Sequence, residues 1–327
     1  MNSIVKIEDT PIGKLIDVIN GAIGVVNLSF QQNHIVETAN PSEQVLAIQS
    51  GKAESLLAGN TERYNLISAI ERRIIAREEK RQNNIEKVVS VAAKTIKDET
   101  NVSSEPVNPD WATRFFDISQ DISDEAMQDL WGRILAGEVK QPHSYSLRTL
   151  DALRNITSEE AQLFEKVARY ILDDGSYYIY RDSFENCPDV DFKYADIARL
   201  MEMGLIQAGS MVVQNYYNTS NKNAEHHLYY GDGYVAFVKM PADLLKMSFP
   251  IYPLTHVGEE LMKLISIEPN RAYFEFVLQK ILEENKHLSK DIHIKYAKII
   301  KHDPIKGEIE YDDDTIKEIV VLSKEDK

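Results

Sequence analysis

The chain has 327 residues, a formal net charge of −15 and a 43% hydrophobic share, enough apolar material for real cores in two or three domains. A single cysteine, Cys187, excludes an internal disulfide framework and a thiolate zinc cage. No apolar run approaches the ~20 residues that cross a bilayer, the first residues lack the pattern of a signal peptide, and the acidic balance repels nucleic acid and anionic membranes at long range; the expected location is the cytoplasm.

Residues 11–27 read as a helix with Ile12, Leu15, Ile16, Ile19 and Ile23 on one side, weakened by Gly13, Gly21 and Gly24. Small residues on such a helix suit packing or oligomer formation. Residues 43–58 form a second expected helix through Val45, Leu46, Leu56 and Leu57. The longest helical pattern is 62–97. Leu66, Ile67, Ile70 and Ile74 make one apolar patch, and Ile85, Val88, Val89 and Ala92 make another. From Ala76 to Asn84 no large apolar residue appears, so this part of the helix bridges packed units or projects from the body. Residues 61–97 hold nine Lys and Arg against five Glu, a local +4 on an acidic chain. Residues 98–109 have the composition of a linker.

The stretch Ile122-Ser-Asp-Glu-Ala-Met-Gln-Asp-Leu-Trp-Gly-Arg-Ile-Leu-Ala-Gly-Glu138 reads as an amphipathic helix. Ser123 is the expected N-cap, Met127, Leu130, Trp131, Ile134 and Leu135 make the apolar stripe, and Gly137 is the expected terminator. Trp131 is expected to anchor a core. A helix through Leu147, Leu150 and Leu153 follows. Thr157 and Glu160 read as a capping box for another carrying Phe164, Val167, Ile171 and Leu172. Short links favour a small bundle.

Beyond Asp173-Asp-Gly175 the character changes. Tyr177–Tyr180 reads as a strand, and Asp191–Met203 as a helix ended by Gly204. Leu205-Ile206, Met211–Val213 and the pair His227–Tyr230 and Tyr234–Met240, turning at Gly231-Asp-Gly233, read as β structure. A helix opens at Leu254-Thr255. This order resembles a winged helix with a long wing. Residues 271–285 add a helix with Tyr273, Phe274, Val277, Ile281 and Leu282 inward, and the tail reads as strands around Ile292–Tyr296 and Glu308–Tyr311. The fold class is therefore α+β: a mostly helical N-terminal half with a long helix and small bundle, then a winged-helix-like C-terminal half. The expected divisions are 1–100, 101–175, 176–268 and 269–327.

The 122–138 stretch, followed by Pro142 and Ser144-Tyr-Ser-Leu-Arg-Thr-Leu150, resembles the bacterial family of domain of unknown function 2806. Arg77–Glu86 and Asp110-Trp-Ala-Thr-Arg-Phe-Phe116 fit the same pattern. The layout is more weakly similar to alpha-type abortive-infection proteins, which limit phage growth. The resemblance implies a bacterial cytosolic protein, with a defence setting suggested by the weaker likeness, and it implies no catalytic residues.

Phosphate loops, dinucleotide fingerprints and His-Glu-x-x-His are absent from the sequence. His226 and His227 are adjacent on an expected strand and so point to opposite faces; no metal or cofactor is expected. The Asp312-Asp-Asp314 cluster reads as an acidic turn. The expected groove-reading helix holds Asp191, Lys193, Asp196, Arg199 and Glu202, net acidic where DNA affinity needs cations. The function expected is that of a non-enzymatic interaction protein acting by oligomerisation and partner binding. Arg72, Arg73, Arg77, Lys80 and Arg81 are its candidate contacts. A nucleic-acid-binding regulator is the alternative, and an enzyme with a site assembled from distant residues is the second.

Overall fold

The structure, a computed structural model, describes residues 10–23, 28–31, 34–37, 61–183, 187–209, 212–220, 222–303 and 308–320. The helix expected at 43–58 lies outside them. The chain divides into two units, Met1–Ser158 and Glu159–Lys327. The class is α+β, with helices mostly in the first half and an antiparallel sheet in the second.

The first unit holds helix α1 (Pro11–Ile23), the hairpin β1 (Leu28–Gln31) and β2 (His34–Glu37), then α2 (Thr61–Ile96), α3 (Pro109–Ser119), α4 (Glu125–Lys140) and α5 (Leu147–Leu153). Its core is aromatic: Trp131 is fully buried, its ring 5.2 Å from that of Phe115, which stacks on Trp111 at 5.1 Å. The residues that carry the family likeness build one junction. A Cβ on Gly132 would lie 2.4 Å from Val91 Cβ, so only glycine lets α4 cross α2 at this distance. Gly137 is not the terminator expected of it. The helix runs on to Lys140, and Gly137 leaves room for the Tyr145 ring, 2.8 Å from where a Cβ would stand. Glu138, 1% exposed, accepts the backbone N–H of His143 at 2.7 Å on one oxygen and that of Tyr145 at 3.0 Å on the other. Trp111 donates its indole N–H to Tyr145 O at 2.7 Å. The loop is thereby folded back onto α4, and Ser146 caps α5. The N-cap of α4 is Asp124, whose carboxylate accepts from Met127 N, and not Ser123. The stretch 98–109, read as a linker, is tied down: Ser103 N donates to Lys140 O at 2.9 Å, Val107 is buried, and Asn108 caps α3.

The second unit opens with α6 (Ser158–Ala168), β3 (Ile171–Asp173), β4 (Tyr177–Tyr180) and α7 (Tyr194–Glu202). Then come β5 (Val213–Tyr217), β6 (Ala224–Tyr230), β7 (Tyr234–Met240), β8 (Lys246–Pro253), α8 (His256–Met262), α9 (Arg271–Asn285), β9 (His293–Asp303) and β10 (Glu308–Glu318). The eight-stranded sheet has the order β10-β9-β7-β6-β3-β4-β8-β5. The β6–β7 ribbon turns at Gly231 (φ 52°) as the glycines predict, but it is interior, with β9 and β3 as neighbours. A wing is a free ribbon, so the winged-helix likeness is not confirmed.

The sheet is rolled. β5 and β6 stand four places apart, about 19 Å in a flat sheet, yet the His226 ring of β6 stacks on Tyr216 of β5 at 4.5 Å. Helix α9 supplies core to the roll, burying Tyr273, Phe274, Val277, Leu278 and Ile281 and touching both β8 and β9. Its last residue, Asn285, is 2% exposed; it accepts from Ser248 N at 3.0 Å and donates to Ser248 O at 2.9 Å, standing in for a strand neighbour that the short β4 does not provide. Strand β8 has no clear sequence signal because it contains Pro250 and Pro253. Pro250 is tolerated because its missing N–H falls just past Tyr180, the last paired residue of β4. Asp312–Asp314 forms a bulge within β10, where the register with β9 shifts, and not a turn between strands.

Candidate interaction helix

Helix α2 has two different halves. From Asn84 to Ile96 it is part of the bundle, burying Asn84, Ile85, Val88, Val89, Ala92, Ala93 and Ile96. Before Arg81 it leaves the bundle, and residues 61–80 extend for about 30 Å at 1.5 Å per residue. Leu66 is 61% exposed, Ile70 38% and Ile74 43%. This half remains helical because its residues are good helix formers. It is braced by local pairs, Arg77 with Glu78 at 2.9 Å and Arg81 with Glu78 at 3.4 Å.

The phase of the two halves carries the argument. Eighteen residues are five whole turns. Ile67, Ile70 and Ile74 recur eighteen positions later as Ile85, Val88 and Ala92. The exposed stripe therefore lies on the same face that the bundle covers further along. Its flanks differ in charge: by the same 100° step Arg73 and Lys80 run down one side, Glu71 and Glu78 down the other, Arg77 falls on the stripe between Leu66 and Ile70, and Arg72 falls on the far face.

The point of departure is clamped. Arg81 Nε donates to Asp121 Oδ1 at 2.8 Å and a terminal nitrogen reaches Oδ2 at 3.3 Å. Asn84 donates to Gln120 O at 2.8 Å and accepts from Gln128, which also donates to Ile122 O at 2.8 Å. Asn84 and Gln128 are buried, so these bonds satisfy groups that are costly to leave unmade. Of the five candidate contacts, Arg72, Arg73, Arg77 and Lys80 are exposed on the projecting half. Arg77 pairs with Glu78 at 2.9 Å. Arg81 instead holds the helix to the α3–α4 turn. Asp121 and Gln128 escaped sequence reasoning because their partners lie about forty residues away.

Elsewhere, His227 bonds Glu225 at 3.3 Å while His226 faces Tyr216, so the adjacent histidines do lie apart. Among the described residues no three His, Cys, Asp or Glu side chains gather as metal ligands. Cys187 is buried, and burial pushes its thiol pKa up. No described helix is long and apolar enough to cross a membrane.

These features define an α+β protein of two units whose first unit presents an amphipathic helix held at one end. The family described as "Protein of unknown function (DUF2806)" matches residues 69–176 and 184–278, and the chain belongs to it. The match takes in most of α2 and the whole Gly132–Ser146 junction. No curated protein matches the chain, nor does any solved structure.

Proposed function

We propose that this is an interaction protein whose projecting half of α2 docks into a partner bearing an amphipathic helix. That helix would carry acidic residues on the flank that meets Arg73 and Lys80. The observation that carries the reading is the exposed Leu66–Ile70–Ile74 stripe, continuous in phase with a face that is buried in the same helix. The exposed fractions amount to about one and a half whole side chains, roughly 3 kcal/mol when covered. The partner's own apolar surface contributes a similar amount. Set against an association cost of about 4 kcal/mol or more, this supports a reversible complex.

Two arguments oppose a second copy on this stripe. In a parallel pair the two bundles, which lie on the same face as the stripe, collide. In an antiparallel two-fold pair like flanks meet, setting the Arg73 and Lys80 side against itself. A different protein escapes both. The setting we propose is the bacterial cytosol in phage restriction, supported by the weaker likeness of layout; unchanged plating of phage on cells with and without the protein would remove that setting. The nucleic-acid alternative drew on the winged-helix likeness, and no further observation favours it.

The test is capture from the native host by the full chain, by I70E/I74E and by R73E/K80E, with intact-mass measurement. One protein retained by the wild type and lost from both variants, with the wild type itself monomeric, is the expected result. A wild-type dimer that I70E/I74E dissociates, or capture indifferent to both variants, overturns the reading.

A further inference from the structure

A groove of about 560 Å³ runs between α1 and the segment 99–109, within the first unit. Pro11, Lys14, Val18 and Gly21 line it from α1 at spacings of three, four and three, one face of the helix over about 15 Å. Val102, Pro106 and Val107 stand opposite. The volume falls in the range of small-molecule sites, and the lining adds Thr10, Thr100, Ser103 and Ser104 to these apolar residues. One cation enters it: Lys14, half-buried, donates from Nζ to Ser103 O at 2.8 Å. An ammonium has three donors, so this bond leaves two for a ligand. The carboxylates on the lining do not cancel it. Glu99 is neutralised by Lys140 at 2.8 Å, and Asp17 is exposed at the rim.

We propose that this groove binds a small monocarboxylate with an apolar tail, its carboxylate on Lys14 and its tail between Val18, Val102 and Val107. Among the described residues Lys14 is the one cation on the lining, so the groove offers a single positive charge, which suits a monocarboxylate better than a phosphate dianion. Desolvation already depresses the Lys14 pKa against the opposing pull of Glu105 and Glu138, so a bound anion restores what burial removed from the ammonium. The ligand would also bridge α1 to the loop that Lys14 already holds through Ser103.

Titration calorimetry of the full chain with decanoate, below the concentration at which it forms micelles, tests this. Saturable one-to-one binding is expected, weakened about tenfold or more in K14M and abolished in V18W, which fills the groove. Decan-1-ol and decylamine, with the same tail and no carboxylate, should bind the wild type about tenfold more weakly. That head-group comparison decides the matter if K14M fails to fold. Absence of saturation by decanoate, or equal binding of all three compounds, overturns the proposal.

Discussion

Replacing Glu138 by alanine should destabilise the first unit by about 2–4 kcal/mol. Its carboxylate is 1% exposed and its two oxygens accept two separate backbone N–H groups, His143 at 2.7 Å and Tyr145 at 3.0 Å. Each buried N–H left without a partner costs about 1–3 kcal/mol. Part of that is returned because alanine no longer buries a carboxyl, and burial outweighs the N–H bonds in raising the Glu138 pKa. Against a domain stability of about 5–15 kcal/mol, the loss is a large fraction. The fluorescence of Trp111 and Trp131, both in this unit, followed through a urea titration reports it separately from the rest of the chain. Glu138→Gln should lie between, because an amide offers one oxygen where two N–H groups need two. A midpoint for Glu138→Ala equivalent to the wild type within about 0.5 kcal/mol would refute the view that the junction is held by these bonds.

Asn285→Leu should cost the second unit about 2–4 kcal/mol, since Ser248 N–H and C=O both lose their partner; chemical denaturation monitored by far-ultraviolet circular dichroism checks it. Gly132→Val should cost about 1–3 kcal/mol or more by overpacking the α2–α4 crossing, read as a lower thermal midpoint, and a neutral result would show that the helices can separate freely. The Asp173 carboxyl is raised above its ordinary range chiefly by burial. Its stabilising contribution is present below the ordinary carboxyl pKa and lost as pH rises through the raised one. The thermal midpoint should therefore climb as pH falls from neutrality towards the ordinary carboxyl range, and Asp173→Asn should flatten that slope; an identical slope in the variant contradicts the assignment.

Much of the local structure was legible because it depends on neighbours in sequence. The 3.6-residue spacing gave α2 and α4, the Gly231-Asp-Gly233 turn gave the β6–β7 hairpin, and the gap between Ala76 and Asn84 straddles the point where α2 joins the bundle. The exposed stripe was also present in the sequence, in the eighteen-residue recurrence of Ile67, Ile70 and Ile74, but periodicity does not say which copy of a pattern finds a partner. The caps of α4 depart from local rules for a related reason. Ser123 and Gly137 fit local rules, while Asp124 accepted from Met127 and Tyr145 required Gly137 inside the helix.

What lay beyond the sequence was every relation between distant residues. Strand order is set by which edges meet after the sheet rolls, so a central ribbon and a free wing have the same local pattern. Arg81 belongs to Asp121, Glu138 to the loop at 143–145, and Asn285 to Ser248, because burial makes an unpaired polar group costly and the chain brings partners from wherever packing allows. Composition and spacing determined the elements and their class; the tertiary structure decided which face of each remained uncovered, since only a filled core shows what is left outside it.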